Sequence, residues 1–344
     1  MKKIFKVLAF SVMVFILCVI VYIYVSTPRL PENTDQVLEE VLKSELPDLV
    51  RGETGFVVND SLRIWYESIS PADTAKDTIL LFMGISNDAL GWPQAFLEKF
   101  VRSGYQVIRF DYRGTGLSDW VDDWEERPYS LLDLATDSKI ILDSLGINKV
   151  NLLGISLGGM VAQEFAINFP DRTRSLTSMM SSGNILDEEL PPISSEVVFD
   201  LVKCSMKYGM IPTDKNNIKL HLASRIILRG DAKYDIDVVG TAQQVLYNIR
   251  ERKGYNSNAS SQHHEATYRS GSRYSKLKDL DVPVLIIHGL NDPFIPIEHS
   301  MKLAKVIPGS KSKWLENMGH DIPLVLIDSI YEEMNVLMNS NEDY

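Results

Sequence analysis

Gly154-Ile155-Ser156-Leu157-Gly158-Gly159 is the stretch that decides the predicted fold of this chain of 344 residues. An apolar run, Val150–Leu153, precedes it, and a helical pattern, Met160–Ala166, follows it. Glycines on both sides of a serine permit a sharp strand-to-helix turn, because a Cβ would penalise that backbone. Such a turn lifts the Ser156 hydroxyl over the end of a sheet and predicts a nucleophile. By themselves, the same glycines also fit an ordinary strand–helix turn.

A serine hydroxyl needs a base to remove its proton and a carboxylate to orient that base. Two later segments supply these groups, each directly after a predicted strand. Asp292 follows the apolar run Val284–His288 and precedes a proline, which restricts its backbone to extended or turn geometry. His320 follows a second short run in a Gly-His turn. Singly, these residues fit a turn aspartate and a helix-start histidine, but their order and strand-end positions together predict a triad with Ser156.

Ester chemistry also needs donors for the oxyanion that develops on the carbonyl oxygen. The predicted strand Thr78–Phe82 ends at Met83-Gly84, where the chain can turn. We therefore expect the backbone N–H groups of Ile85 and Leu157 to form the oxyanion hole. Many hydrolases have His-Gly where this chain has Met83-Gly84, but a backbone donor does not require that histidine.

Taken together, these motifs resemble the α/β-hydrolase superfamily and, more narrowly, the bacterial aclacinomycin methylesterase-like esterases. The resemblance runs from about Gly55 to the C-terminus and is weakest between about Asn184 and Gly271. The segments that carry it are residues 82–84, 89–93, 111–118, 154–159, 292–296 and 319–323. It implies a serine esterase in which Ser156 is the nucleophile, Asp292 the orienting acid and His320 the base, with Ile85 and Leu157 at the oxyanion hole.

Apolar runs and helical patterns alternate along most of the chain and predict a mostly parallel sheet with helices on both faces. A β-hairpin is expected at its start, in residues 56–66. The alternation stops between about Asn184 and Gly271, where we expect a helical cap inserted over the site. Met206, Met210 and Ile211 are expected either to line a substrate pocket in this cap or to form its core.

The N-terminus carries Lys2, Lys3 and Lys6, followed by the uncharged run Val7–Val25. That run is long enough to cross a bilayer, and no small-x-small cleavage site follows it. We expect a retained membrane anchor rather than a cleaved signal peptide. The lysines place the N-terminus in the cytoplasm, so the hydrolase would lie outside the cytoplasm, in the periplasm or at the cell exterior.

The expected domain organisation has five parts. They are a membrane anchor (1–25), a linker and amphipathic stalk helix (26–54), the first part of the α/β-hydrolase core (55–183), the helical cap (184–271) and the second part of the core (272–344).

Charge and composition limit the partners. A net charge of −11 argues against nucleic acid and favours neutral or apolar substrates. The two cysteines, Cys18 and Cys204, do not form a disulfide framework, because Cys18 lies in the predicted span. His263-His264-Glu265 lacks the spacing of a metal site, and we expect neither a metal nor a cofactor. The Asp111–Ser118 loop has no phosphate-binding signature and is interpreted as structural.

The expected function is hydrolysis of carboxylic esters of neutral or apolar compounds through an acyl-enzyme. A C–C bond hydrolase or a cofactor-free perhydrolase can use the same residues, and a noncatalytic membrane-tethered binding protein is the alternative from another class. Of the other histidines, His288 is expected to pack at a strand end and His299 to lie on a surface helix.

Overall fold

A computed structural model describes residues 2–339 of the chain. Eight strands form one sheet: β1 (Glu53–Asn59), β2 (Leu62–Ile69), β3 (Asp77–Phe82), β4 (Tyr105–Phe110), β5 (Val150–Ile155), β6 (Thr173–Met179), β7 (Val284–Gly289) and β8 (Lys311–Leu315). Their spatial order is β1-β2-β4-β3-β5-β6-β7-β8. The hairpin β1–β2 is antiparallel and joins the edge of β4, whereas β4, β3, β5, β6, β7 and β8 run parallel. This arrangement confirms the predicted mostly parallel sheet.

The described α-helices are α1 (Lys2–Ser26), α2 (Thr34–Lys43), α3 (Gln94–Arg102), α4 (Leu131–Ser144), α5 (Leu157–Asn168), α6 (Ser195–Cys204), α7 (Asp214–Arg229), α8 (Val238–Glu251), α9 (Ala259–Ser270), α10 (Tyr274–Leu277), α11 (Ile297–Val306) and α12 (Ile327–Asn339). Short 3₁₀ turns lie at Ala89–Gly91, Pro170–Arg172 and Leu324–Leu326, and a single π-helical turn lies at Ser205–Gly209.

Helices cover both faces of the sheet, as the alternation predicts. On one face α3 and α12 bury side chains such as Phe100 and Met334, and on the other α4, α5 and α11 bury Leu134, Phe165 and Leu303. Because both faces are covered, β5 is buried along its whole length. Parallel strands end at the same edge of the sheet, so the loops after β3, β5, β7 and β8 meet there.

Four helices, α6 to α9, occupy the region between β6 and β7 where the alternation stops. Two of them, α7 and α8, share a hydrophobic core separate from the two cores of the sheet. The insertion is tied to the sheet domain by Arg252, which pairs with the fully buried Asp111 and lies over the ring of Trp65.

The segment expected to be a linker and stalk contains helix α2, which forms where the apolar spacing predicts it and packs against α8. Its Leu38 and Val41 side chains are buried with Ile218, Leu222 and Val245 of the inserted helices. The amphipathic face of α2 is therefore covered by the inserted helices.

Candidate active site

Ser156 lies at the turn between β5 and α5 with φ 54° and ψ −122°, an unusual conformation for a residue with a Cβ. The turn is possible because the chain crosses itself closely on both sides of the serine. A Cβ at Gly154 would collide with the backbone of Gly158, and one at Gly158 would collide with the carbonyl of Phe82. The strained turn holds the hydroxyl at the end of β5, where α5 begins.

Ser156, His320 and Asp292 form one hydrogen-bonded chain. The Ser156 hydroxyl is 3.0 Å from Nε2 of His320, and Nδ1 of His320 is 2.7 Å from Oδ2 of Asp292. With a proton on Nδ1, the imidazole donates to the carboxylate and presents Nε2 as the acceptor for the serine proton. All three side chains are largely buried. The structure thus brings the three predicted residues together, while their catalytic roles stay a prediction.

Asp292 is held as a carboxylate by its surroundings. Its Oδ1 accepts backbone N–H groups of Phe294 at 2.8 Å and Ile295 at 3.0 Å. Burial alone would raise the pKa of Asp292, but the charge and hydrogen bond of His320, aided by His288 and the Phe294 amide, hold the pKa below its usual value. Asp292 is therefore favoured as the ionised carboxylate beside His320.

His320 is positioned by the inserted helices as well as by Asp292. Its backbone N–H donates to the carbonyl of Leu228 at 2.7 Å, in the last turn of α7. A Cβ at the preceding Gly319 would collide with the carbonyls of Leu228 and Arg229. The ring of Phe294 stands edge-on to the imidazole at 5.2 Å. His320 therefore lies where the inserted helices meet the sheet domain.

Ile85 and Leu157 line the same cavity as Ser156, at the positions expected for the oxyanion hole. The loop that carries Ile85 is fixed by His263 of α9, a contact that the sequence did not reveal. The N–H of Ser86 donates to Nδ1 of His263 at 3.1 Å, and Nε2 of His263 donates to the carbonyl of Arg113 at 3.1 Å. Burial lowers the pKa of His263 to about 4, so the ring remains neutral and can accept from Ser86.

The cavity at Ser156 is small and mostly apolar, with a volume of about 40 Å³. Besides Ser156, Ile85 and Leu157, its walls are Met160, Ile185, Ile193, His264, Thr267, Tyr268, Phe294 and Ile295. The expectation that Met206, Met210 and Ile211 line this pocket or form the cap core is wrong. All three are exposed, and the cavity at Ser156 is lined by other residues.

Two further histidines are buried beside the site. His288 bonds Ser300 at 2.7 Å and the carbonyl of Ile295 at 3.0 Å, as expected for packing at a strand end. His299 was expected on a surface helix, and it does lie in α11, but its side chain is fully buried. It bonds the Ser182 hydroxyl at 2.8 Å and the Pro191 carbonyl at 2.9 Å, so it faces the sheet rather than solvent.

The Asp111–Ser118 loop is structural, as the sequence indicates. Asp111 accepts the N–H of Ala89 at 2.9 Å and of Leu117 at 2.8 Å, and it pairs with Arg252. These contacts use the carboxylate to join the loop after β4 to the inserted helices. Within residues 2–339, no group of three or more His, Cys, Asp or Glu side chains is arranged to hold a metal ion.

Comparison with known proteins agrees with this architecture. A family profile described as the alpha/beta hydrolase fold matches residues 77–201, and one of the prolyl oligopeptidase family matches residues 230–318. The chain is 29% identical over 290 residues to rhodomycin D methylesterase DnrP of Streptomyces peucetius, covering 79% of this chain and 94% of that protein.

It is also 25% identical over 248 residues to a 2-hydroxy-6-oxononadienedioate/2-hydroxy-6-oxononatrienedioate hydrolase of Comamonas testosteroni, covering 71% of this chain and 81% of that enzyme. Among solved structures, a bacterial membrane phospholipase A superposes with a TM-score of 0.63 at 16% identity, over 100% of both chains. That likeness concerns the fold. From the fold and these matches, the chain has the α/β-hydrolase fold and resembles bacterial methylesterases.

Proposed function

We propose that the protein is a serine hydrolase that cleaves carboxylic esters of neutral or apolar compounds. The observation that carries the proposal is the hydrogen-bonded chain Ser156–His320–Asp292, set at a strained strand–helix turn beside an apolar cavity. A buried serine whose hydroxyl donates to a histidine held by an ionised aspartate is the arrangement that activates an alcohol for acyl transfer.

In the proposed reaction, Nε2 of His320 takes the Ser156 proton as the oxygen attacks the ester carbonyl. The N–H groups of Ile85 and Leu157 stabilise the oxyanion, and the N-terminus of α5 adds the positive end of its dipole. The imidazolium, stabilised by Asp292, then protonates the departing alcohol. Water deprotonated by His320 attacks the acyl-enzyme and releases the acid, which restores Ser156.

The relatives and the cavity narrow the substrate class. Two relatives at 29% and 28% identity are named rhodomycin D methylesterases, which favours a small alcohol as the leaving group. The space at Ser156 is lined by isoleucine, leucine, methionine and phenylalanine side chains and suits an uncharged group. We therefore propose methyl or other small-alkyl esters of apolar acids.

A second candidate is hydrolysis of a carbon–carbon bond, because several relatives at 25–27% identity are named as 2-hydroxy-6-oxo-dienedioate hydrolases. The two candidate functions can be distinguished by incubating the full chain with a panel of alkyl esters and vinylogous diketones. The products are identified by mass. Acid and alcohol from the esters, lost in Ser156→Ala, support the esterase. Turnover of the diketones alone would replace it with the second candidate.

The location proposed for the enzyme rests on one helix. Ile4–Ser26 is the described helix that is long and apolar enough to cross a membrane. We propose that it is a retained anchor, with the hydrolase on the far side of the membrane from the cytoplasm, because lysines precede the span.

The full chain should sediment with membranes, and protease added to the outside of opened cell envelopes should digest the hydrolase. A soluble mature form beginning near Ser26 would instead indicate a cleaved signal peptide. Protection of the domain on the cytoplasmic side would reverse the orientation.

A further inference from the structure

The helical segment Ser195–Gly209, which comprises α6 and the π-helical turn, carries apolar side chains on two sides. Its inner side buries Val197 and Cys204. Its outer side exposes apolar residues at helical spacing, and two more follow directly. We name these residues the apolar cap face: Val198, Phe199, Val202, Met206, Met210 and Ile211, which are 40% to 76% exposed. A continuous exposed apolar stripe of this kind is typical of an interaction surface.

The apolar cap face lies beside the last turn of α1. The ammonium of Lys207 donates to the Thr27 hydroxyl at 2.6 Å and to the carbonyl of Tyr24 at 3.2 Å. The ammonium of Lys203 lies 5.6 Å from the centre of the Tyr22 ring. Both lysines belong to the segment that exposes the apolar stripe, so this segment contacts the C-terminal end of the apolar helix α1.

The length of α1 determines the depth in the bilayer at which this segment contacts α1. The apolar stretch Ile4–Ser26 has 23 residues, or about 34 Å at a rise of ~1.5 Å per residue, against a hydrocarbon core of about 30 Å. Its last turn therefore lies at the boundary between hydrocarbon and headgroups. Tyr22 and Tyr24 are exposed there, as is typical of membrane interfaces. A segment that touches this turn lies at the same depth.

We propose that the apolar cap face lies on the bilayer surface, in the leaflet from which α1 emerges, and that the phospholipid interface is its partner. This inference rests on the proposed retained anchor. Lys203 is buried and pairs with Asp200 at 2.6 Å, and Lys207 is bonded to Thr27 and Tyr24, so both ammonium groups hold the segment against α1 and the apolar side chains are the part of it that faces the lipid.

The position of the apolar cap face also indicates how a substrate reaches Ser156. Ile193 lines the cavity at Ser156, and α6 begins only two residues later, at Ser195. The wall of the cavity and the membrane-facing stripe are thus parts of one continuous segment. An ester dissolved in the leaflet meets the enzyme on the side of the inserted helices, which favours apolar esters that partition into membranes.

The test uses the full chain with Cys18→Ser and Cys204→Ala, reconstituted in phosphatidylcholine vesicles. Single cysteines at Val202 and Met210 receive an environment-sensitive fluorophore, with matched controls at the exposed Val336 of α12 and Val58 of β1. We expect labels at positions 202 and 210 to be quenched by a nitroxide on the lipid acyl chain and protected from aqueous iodide. The two control labels should show the reverse.

Iodide quenching at positions 202 and 210 equal to that at 336 would overturn the proposal. Protection from both quenchers would overturn it too, since a protein surface would then cover the stripe. Flotation of the vesicles shows separately whether the protein is anchored in the membrane. Hydrolysis of a water-soluble ester by the same labelled samples shows separately whether the protein is an esterase. A wrong proposal for the apolar cap face can therefore be distinguished from a wrong proposal for the anchor or for the catalytic function.

Discussion

The backbone N–H of His320 donates to the carbonyl of Leu228 at 2.7 Å, so the proposed base is bonded to an inserted helix as well as to Asp292. The loop after β8 carries the histidine, but the last turn of α7 fixes its height above Ser156. Catalysis in this account depends on contact between two parts of the molecule that are far apart in sequence.

Gly319→Ala tests that dependence. A methyl group at Gly319 would collide with the carbonyls of Leu228 and Arg229 and push the His320 loop away from Ser156. Because displacement of a catalytic group by about 1 Å costs on the order of 10²-fold in rate, we expect kcat to fall by roughly that factor. The matched control is Gly209→Ala, where a Cβ meets only Leu220 at 3.8 Å. A folded Gly319→Ala protein with unchanged kcat would show that the contact does not position the base.

Asp292→Asn tests the orienting acid. An amide keeps the shape of the side chain but loses the charge that stabilises the imidazolium, and it favours the wrong tautomer of His320. We expect ester turnover to fall by roughly 10³-fold or more with the fold retained. Asp187→Asn is the control, because Asp187 pairs with Lys302 at 2.6 Å, away from the described triad contacts. A strong loss of ester turnover in Asp187→Asn but not in Asp292→Asn would identify Asp187, in the earlier loop, as the orienting acid.

The pH dependence of ester hydrolysis depends on which side chains of the proposed triad gain or lose a proton in the pH range measured. The pKa of Asp292 lies below its usual value, so this carboxylate stays ionised through the range in which histidines ordinarily titrate, near pH ~6.5. Protonation of a histidine base, and not of Asp292, should therefore remove activity on the acid side in a protein that stays folded. We expect log kcat/KM to rise with a slope of one and then level off. A flat profile from about pH 5 to 8, with chemistry rate-limiting, would contradict a histidine base.

His263 makes a separate prediction about stability. Its pKa is lowered to about 4 in the folded protein by burial, whereas in the unfolded chain it titrates near pH ~6.5. Below pH ~6.5 the unfolded chain takes up the proton first, so stability is lost as the pH falls towards 4. The linked loss is roughly 3 kcal/mol at pH ~4.

Denaturant unfolding of the wild type and His263→Gln at several pH values measures this loss. The variant should start less stable at neutral pH, because the contact with Ser86 changes, but its stability should fall less steeply on acidification. The neighbouring, part-buried His264→Gln should keep the wild-type slope more closely. Equal slopes in all three proteins would mean that His263 is not buried as a neutral ring.

The sequence predicted the parts of this structure that local pattern determines. The glycines around Ser156 and the buried run of β5 are local features, and the strand–turn–helix they predicted is present. What surrounds a helix is not local. Met206 and Met210 were expected in a pocket or in the cap core because they are apolar, but apolar character does not say whether protein or another medium covers a side chain. For the same reason the amphipathic pattern of α2 does not reveal that α2 packs on α8.

Contacts made by backbone atoms left no signal in the sequence. The Leu228 carbonyl holds His320 through atoms that every residue type has, so no side chain at that position marks the contact. In the sequence, His263 has the residue type of a metal ligand, but its partners are the N–H of Ser86 and the carbonyl of Arg113. Its contact with the loop that carries Ile85 is visible only in the three-dimensional arrangement.

Covalent labelling tests directly whether Ser156 is the nucleophile. The full chain is treated with a fluorophosphonate, digested, and the modified peptide identified by mass spectrometry, alongside Ser156→Ala and Ser261→Ala, an exposed serine of α9, as a control. We predict a single phosphonate on Ser156, formed in the wild type and in Ser261→Ala and absent in Ser156→Ala. Labelling of a different residue, or none in a folded protein that still hydrolyses esters, would contradict it.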